Sequence, residues 1–198
     1  MLKLNAKVII CIDLAGKPEN PTGIAFFENR KVETKILYKD DEMFEAVCQK
    51  STKLVAIDSP FSLPKKGILR EADRAMIRNG YRVFPPTLQA MRVLTLRAIK
   101  LNSALAQKGF KTIEVHPTST CKALSMPLKD WRKIQAILAQ IGLRGDVRVR
   151  ALTSHEIDAT LAALTAYLHT NKQTEAFGDK EEGYIIVPKK QEWRALHI

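Results

Sequence analysis

Residues 8–14 read Val8-Ile9-Ile10-Cys11-Ile12-Asp13-Leu14, a compact apolar run broken by one acid. Val and Ile carry two heavy atoms on Cβ, which stiffens χ1 and suits a pleated strand. The run predicts a strand, and the acid at its end is the anomaly, because a carboxylate buried without a partner is costly. The pattern returns at Leu54-Val55-Ala56-Ile57-Asp58, the end of a strand expected over 53–58. Between the two lie strand-like runs at 23–28 and 32–38, separated by the polar stretch Asn29 to Lys31, which together with 8–14 predict an antiparallel meander. A helix is expected over 40–50, where Met43, Phe44 and Val47 recur at helical spacing behind Asp40 and Asp41. Strand, helix and strand in this order imply a parallel crossover. If 8–14 and 53–58 are neighbours pointing the same way, Asp13 and Asp58 meet at the carboxyl edge of the sheet, where open α/β sheets place their sites.

Further along, Pro60, Pro64, Gly67, Gly80, Pro85 and Pro86 punctuate a long insertion with a short helix expected over 70–79. A long helix comes next over 87–108, with an apolar stripe at Leu88, Met91, Thr95, Ala98 and Leu105 and a closing Gly109. Residues 110–116 read as a strand stopped by Pro117, residues 131–141 as a helix and residues 184–187 as a final strand, while 147–152 is ambiguous. The last helix has the clearest start: Thr153 and Glu156 form the T-x-x-E pattern of a capping box, and Ile157, Leu161, Leu164 and Leu168 make its core stripe. On a neighbouring face stand His155, Asp158, Ala162 and Thr165.

At 198 residues the chain fits one domain at about 150 residues per domain, and a single domain over 1–198 with a basic helical insertion at about 60–108 is expected. Hydrophobic residues at 45% and charged residues at 27% argue against a disordered or fibrous protein. The run Val8 to Ile12 falls far short of the roughly 20 apolar residues a membrane crossing needs, so no membrane partner is expected. Cys11, Cys48 and Cys121 show neither disulfide nor zinc spacing and predict a reduced, cytoplasmic protein. The formal charge is +11, and its excess is local: residues 65–111 hold eleven basic side chains against Glu71 and Asp73. A field of this kind favours a polyanion such as nucleic acid; the bland alternative is a solvated Lys/Arg surface.

Four acids occupy unusual places. Asp13 and Asp58 end apolar runs, Glu114 lies between Ile113 and Val115, and Asp158 sits near the start of an apolar helix. Each alone has an ordinary reading as a turn, cap or ion-pair residue. Their coincidence in a strongly basic chain points to ligands for a hard divalent cation, Mg²⁺ or Mn²⁺, two of which can assist phosphodiester hydrolysis.

The segments Ile12-Asp13-Leu14-Ala15-Gly16 with Thr22-Gly23, Ile57-Asp58-Ser59-Pro60 with Leu63-Pro64, Arg70 and Asp73, Glu114-Val115-His116-Pro117, and His155-Glu156-Ile157-Asp158-Ala159 together resemble domain-of-unknown-function family 429, whose members are regarded as predicted nucleases of the RNase H-like fold. The last segment is also similar to the final helix of RuvC-type Holliday-junction resolvases. The resemblance spans nearly the whole chain and implies an α/β fold: a mixed sheet of five to six strands, with an antiparallel meander of strands 1–3 and parallel strands 1, 4 and 5, flanked by helices and carrying a helical insertion after strand 4. It implies Asp13 as the central metal ligand and Asp58 and Asp158 as further ligands. Glu114 matches the motif as a fourth, and His155 as a ligand or proton carrier. His116 lies on the strand face of Glu114 as a candidate supporting residue. Asp40, Asp41, Glu42 and Glu45 read as the solvated start of a helix, leaving the superfamily's helix-borne carboxylate without a counterpart.

The leading expectation is thus a metal-dependent nuclease whose residues Lys65, Lys66, Arg70, Arg74 and Arg78 grip a DNA or RNA backbone, with binding that weakens in salt. Two alternatives stay open: a nucleic-acid-binding module of the same fold without chemistry, and a nucleotide- or phosphate-binding relative of the actin-like folds, loosely suggested by Asp13 to Thr22-Gly23.

Overall fold

The computed structural model describes residues 8–196 and Ile198. Strand β1 (Val8–Asp13) runs antiparallel to β2 (Thr22–Glu28), which pairs with β3 (Lys31–Leu37) to complete the meander. Helix α1 (Asp40–Cys48) then crosses to β4 (Thr52–Asp58), parallel to β1. The insertion contributes α2 (Glu71–Arg78) and α3 (Gln89–Gln107), and β5 (Thr112–Val115) comes after it. After α4 (Pro117–Ala123) and α5 (Trp131–Gln140) come the two-residue strand β6 (Arg144–Gly145) and the short helix α6 (Asp146–Val149). Helix α7 (Ser154–Thr170) leads to a terminal hairpin of β7 (Thr174–Asp179) and β8 (Gly183–Pro188).

The sheet has eight strands in the order β6-β3-β2-β1-β4-β5-β8-β7. Five or six are expected from the sequence, and the two extra ones have physical reasons to escape it. Strand β6 is two residues long and exists only through its pairing with Lys31 and Val32. Strand β7 reads Thr-Glu-Ala-Phe-Gly-Asp, with no β-branched run, and is held by β8. Its Gly178 has φ +134°, and a Cβ there would stand 2.1 Å from the Gly183 carbonyl oxygen, so only glycine closes this hairpin. Helix α4 is masked in the sequence by Pro117, which reads as a strand stop but serves as the first residue of a helix, where its missing N–H costs nothing. The ambiguous stretch at 147–152 divides into the end of α6 and a loop.

Alternation along the central strands sets the two faces. Ile9 and Cys11 of β1 and Leu54 and Ala56 of β4 pack with Ile157 and Leu161 of α7. Ile10, Ile12, Val55 and Ile57 pack on the other face with Ala98, Leu101 and Leu105 of α3. Strands covered on both sides are apolar at every position, which is why their sequences lack polar alternation. The period of two carries Asp13 and Asp58 onto the α7 face and Glu114, paired in register with Ile57, onto the α3 face. Among the described residues no helix is long and apolar enough to cross a membrane.

Candidate functional site

Asp13 and Asp58 are register partners at the carboxyl ends of the parallel strands β1 and β4. Neighbouring strands lie about 4.8 Å apart, so the two carboxylates share one edge. Helix α7 comes down on this edge. Its start is fixed by a reciprocal cap: the Glu156 N–H donates to Thr153 Oγ1 at 3.3 Å and the Thr153 N–H donates to Glu156 Oε2 at 2.9 Å. Thr34 Oγ1 also donates to Glu156 Oε1 at 2.8 Å, tying the helix start to β3. Gly23, opposite Asp13 on β2, lets the helix approach: a Cβ there would stand 2.1 Å from the His155 carbonyl oxygen. The approach brings His155 Nδ1 to 2.8 Å from Asp13 Oδ2.

The acids feel one another. Burial, then Asp13, Asp158 and Glu114 in turn, raise the Asp58 carboxyl well above its ordinary range. Burial, then Asp13, push Asp158 up to about 7, with His155 opposing. The hydrogen bond to Asp13 raises His155 against the opposing effect of partial burial. Among the described residues no lysine or arginine forms an ion pair with Asp13, Asp58 or Asp158. Such a group repels itself until a cation or protons enter. Hard oxygen donors of this kind suit Mg²⁺ or Mn²⁺. Among the described residues, however, no three acidic, histidine or cysteine side chains already converge as a metal-holding group; Asp13 and Asp58 form the shared edge, and Asp158 interacts with them through its charge.

Glu114, the expected fourth ligand, borders the same cavity as Asp13 and Asp58 and is engaged by an arginine there. Arg70 Nη2 donates to its Oε1 at 2.7 Å, Arg70 Nη1 to its Oε2 at 2.8 Å, and the Phe61 N–H to Oε2 at 2.9 Å. Both oxygens are taken. Arg70 in turn is fully buried, and also donates to Asp73 from Nε at 3.1 Å and Nη2 at 2.9 Å. Its expected contact with a nucleic-acid backbone is therefore corrected: a guanidinium spent on two internal carboxylates is not at the surface. Lys65 pairs with Glu181 at 2.8 Å, Arg74 lies 3.7 Å from Glu71, Arg78 also pairs with Glu71, and Lys66 is exposed. These four remain at the surface.

Sequence reasoning misses Arg97. Counted among the basic residues of the insertion, it is buried, donating to the carbonyls of Ala15 and Tyr38 at 2.7 and 2.6 Å and to Asp40 Oδ1 at 2.7 Å. It fixes α3 to the loop directly after Asp13. Only its place in the apolar face of α3, one residue before Ala98, hints at this. A cavity of about 180 Å³ opens beside Asp13 and Asp58, with Ser59 and His116 on its wall. His116 Nδ1 lies 2.7 Å from Ser119 Oγ, and burial pushes the ring down to about 4, so it is neutral near pH 7.

A family profile described as "Protein of unknown function (DUF429)" matches residues 12–183. The chain belongs to the DUF429 family. No curated protein matches the sequence at a significant level. Among solved structures, this DUF429 chain is similar to "T. thermophilus RuvC in complex with Holliday junction substrate", with TM-score 0.54 and 14% identity, covering 83% of this chain and 96% of that one. It is likewise similar to "Thermus thermophilus RuvC structure", with TM-score 0.50 and the same identity and coverage. The likeness shows a shared RNase H-like fold for the DUF429 chain.

Proposed function

We propose that this chain is a nuclease that hydrolyses phosphodiester bonds of nucleic acid with the help of Mg²⁺ or Mn²⁺. The observation that carries the proposal is the register pairing of Asp13 with Asp58 on parallel strands, beside a third carboxylate with a raised pKa. Asp13, Asp58 and Asp158 are the residues that would hold the ion. Held by these three carboxylates, such an ion would offset their mutual repulsion and would supply Lewis-acid polarisation of a phosphodiester oxygen. His155, bonded to Asp13, orients that carboxylate and stands ready to take up or release a proton at Nε2. Lys65, Lys66, Arg74 and Arg78 hold the phosphate backbone; their surface ion pairs, worth about 0–1 kcal/mol, exchange readily for phosphate. One of the similar structures is a RuvC bound to a Holliday-junction substrate, which supports nucleic acid as the substrate class. Three free cysteines support a reducing compartment, the cytoplasm.

The test is cleavage of labelled DNA and RNA oligonucleotides with and without Mn²⁺, for the wild type and Asp13→Asn. Metal-dependent cleavage that falls at least about a hundredfold in the variant, beyond the 10–100-fold range of residues that merely support a ligand, is expected. Cleavage that persists in chelator, or an active variant, overturns it. A second reading, a nucleic-acid-binding domain without chemistry, draws on the lack of three converged donor side chains among the described residues. Salt-sensitive binding that Asp13→Asn leaves unchanged, with no turnover in any divalent metal, would establish it.

A further inference from the structure

The cavity beside Asp13 and Asp58 is more than an ion site. Its wall includes Val83, Phe84, Met91 and Leu94, an apolar surface that a hydrated cation or a phosphate has no use for. Phe84 stands on the Pro-rich stretch between α2 and α3 and is 70% exposed, although it borders the cavity. On the same wall Ser59 is 3% exposed, and its hydroxyl is buried without a hydrogen-bond partner. Buried polar groups are nearly always paired, so an orphaned hydroxyl on a cavity wall is a group that awaits one. Arg82 and Arg92, both exposed, flank the aromatic along the chain.

At about 180 Å³ the cavity lies below the roughly 300–1,000 Å³ of pockets that take a whole small molecule. A flat single group fits it better. The occupant needs a face to stack on an aromatic ring, an edge to bond a hydroxyl, and an anionic tether that reaches the exposed arginines. A nucleobase on its sugar-phosphate meets all three. A base still stacked and paired within a duplex does not expose that face. We infer that this cavity binds one unpaired nucleobase, with Phe84 as its stacking platform and Ser59 as a hydrogen-bonding contact to its edge, so that the site selects single-stranded or locally unpaired nucleic acid. This inference rests on the nuclease reading for the nature of the ligand, and deepens it.

Binding is measured by fluorescence anisotropy in EDTA, which separates it from hydrolysis. The probes are labelled single-stranded DNA and RNA hexamers, the matching DNA duplex, and a hexameric deoxyribose-phosphate backbone lacking all bases; thymidine monophosphate is added as a competitor. Single strands are expected to bind more tightly than the base-free backbone. Phe84→Ala should weaken the single strands by about fivefold or more, the range of a lost base stack, while leaving the base-free backbone and the duplex unchanged. Phe84→Tyr should restore binding, and Ser59→Ala should alter the ranking of homopolymers that differ only in base. Competition by the mononucleotide at similar concentration would assign the pocket to free nucleotides and overturn its selection of strands; competition only by hexamers assigns it to strands. Equal binding of hexamers with and without bases, or a Phe84→Ala loss that extends to the base-free backbone, overturns the inference. Base-dependent binding without cleavage would reject the nuclease reading and leave the pocket standing.

Discussion

His155 Nδ1 and Asp13 Oδ2 lie 2.8 Å apart, joining the first turn of α7 to the last residue of β1. The contact spans 142 residues of sequence and makes the position of the helix a condition of the site. It has a defined pH signature. The His155 pKa is raised above its ordinary 6.5, first by the Asp13 hydrogen bond, so its stabilising contribution is fully present below about pH 6.5 and is lost as pH rises through the higher folded-state value. Because the ring is partly exposed, the contribution is about 1 kcal/mol or less. Urea unfolding of His155→Gln against the wild type should show that deficit at pH 6 and almost none at pH 9. A deficit equal at both pH values would mean the pair is not electrostatic.

Gly23→Ala should be among the most damaging single-methyl changes in the molecule. The added Cβ would stand 2.1 Å from the His155 carbonyl oxygen, a backbone atom that cannot swing aside as a flexible side chain could. Relief requires α7 to move off β2, so a loss of about 1–3 kcal/mol or more is expected in denaturant titration. Ser59→Ala, which adds no atoms, serves as the comparison; a Gly23→Ala protein as stable as that variant would mean that the helix does not depend on this close approach.

Arg70 is a second point of fragility. Arg70→Met leaves Glu114 and Asp73 facing each other in the interior without a cation, and breaking such a buried pair costs about 3–5 kcal/mol. The triple variant with Glu114→Gln and Asp73→Asn removes the stranded charges and should recover most of the loss. Thermal unfolding of the single and triple variants checks the coupling; additive losses would show that charge is not the cause.

The acid cluster predicts the opposite sign. Burial and neighbouring charge raise Asp158 from 3.8 to about 7, so its ionisation opposes folding. In chelator, stability should fall as pH rises from about 4 to 7 and level off above that. Asp58→Asn should stabilise the metal-free protein at pH 8 by about 1 kcal/mol or more, since a tenfold change in a carboxyl's proton affinity on folding corresponds to about 1.4 kcal/mol. Millimolar Mn²⁺ should raise the Tm of the wild type and leave that of the variant nearly unchanged. A variant less stable than the wild type in chelator would contradict the repulsion among these carboxylates.

Asp13 and Asp58 are legible in the sequence because a carboxylate at the end of an unbroken β-branched run has no surface explanation, and the β-α-β order makes their strands parallel neighbours. Thr153 and Glu156 are legible because a capping box is local. The pairing of Glu114 with Arg70 is hidden because its strand neighbours reveal that it is buried but not on which face, and that partner lies 44 residues away. Arg70 and Arg97 pass for surface charge because a sequence total does not separate an arginine facing solvent from one whose guanidinium is spent on buried oxygens. Strand β7 forms only because β8 is beside it, and Pro117 means stop or start depending on whether the residues after it take up a helix.

The anchoring of α3 through Arg97 bears on how this scaffold is open to engineering. The stretch from 60 to 108 carries part of the cavity wall and also supplies Ala98, Leu101 and Leu105, which cover one side of β1 and β4. Excising it as a cassette, or transplanting it to another host, would strip Ile10, Ile12, Val55 and Ile57 of their cover and unfasten the loop after Asp13. Change in this segment is therefore expected to be tolerated as point replacement along the outer side of that helix and its preceding loop, and not as wholesale exchange.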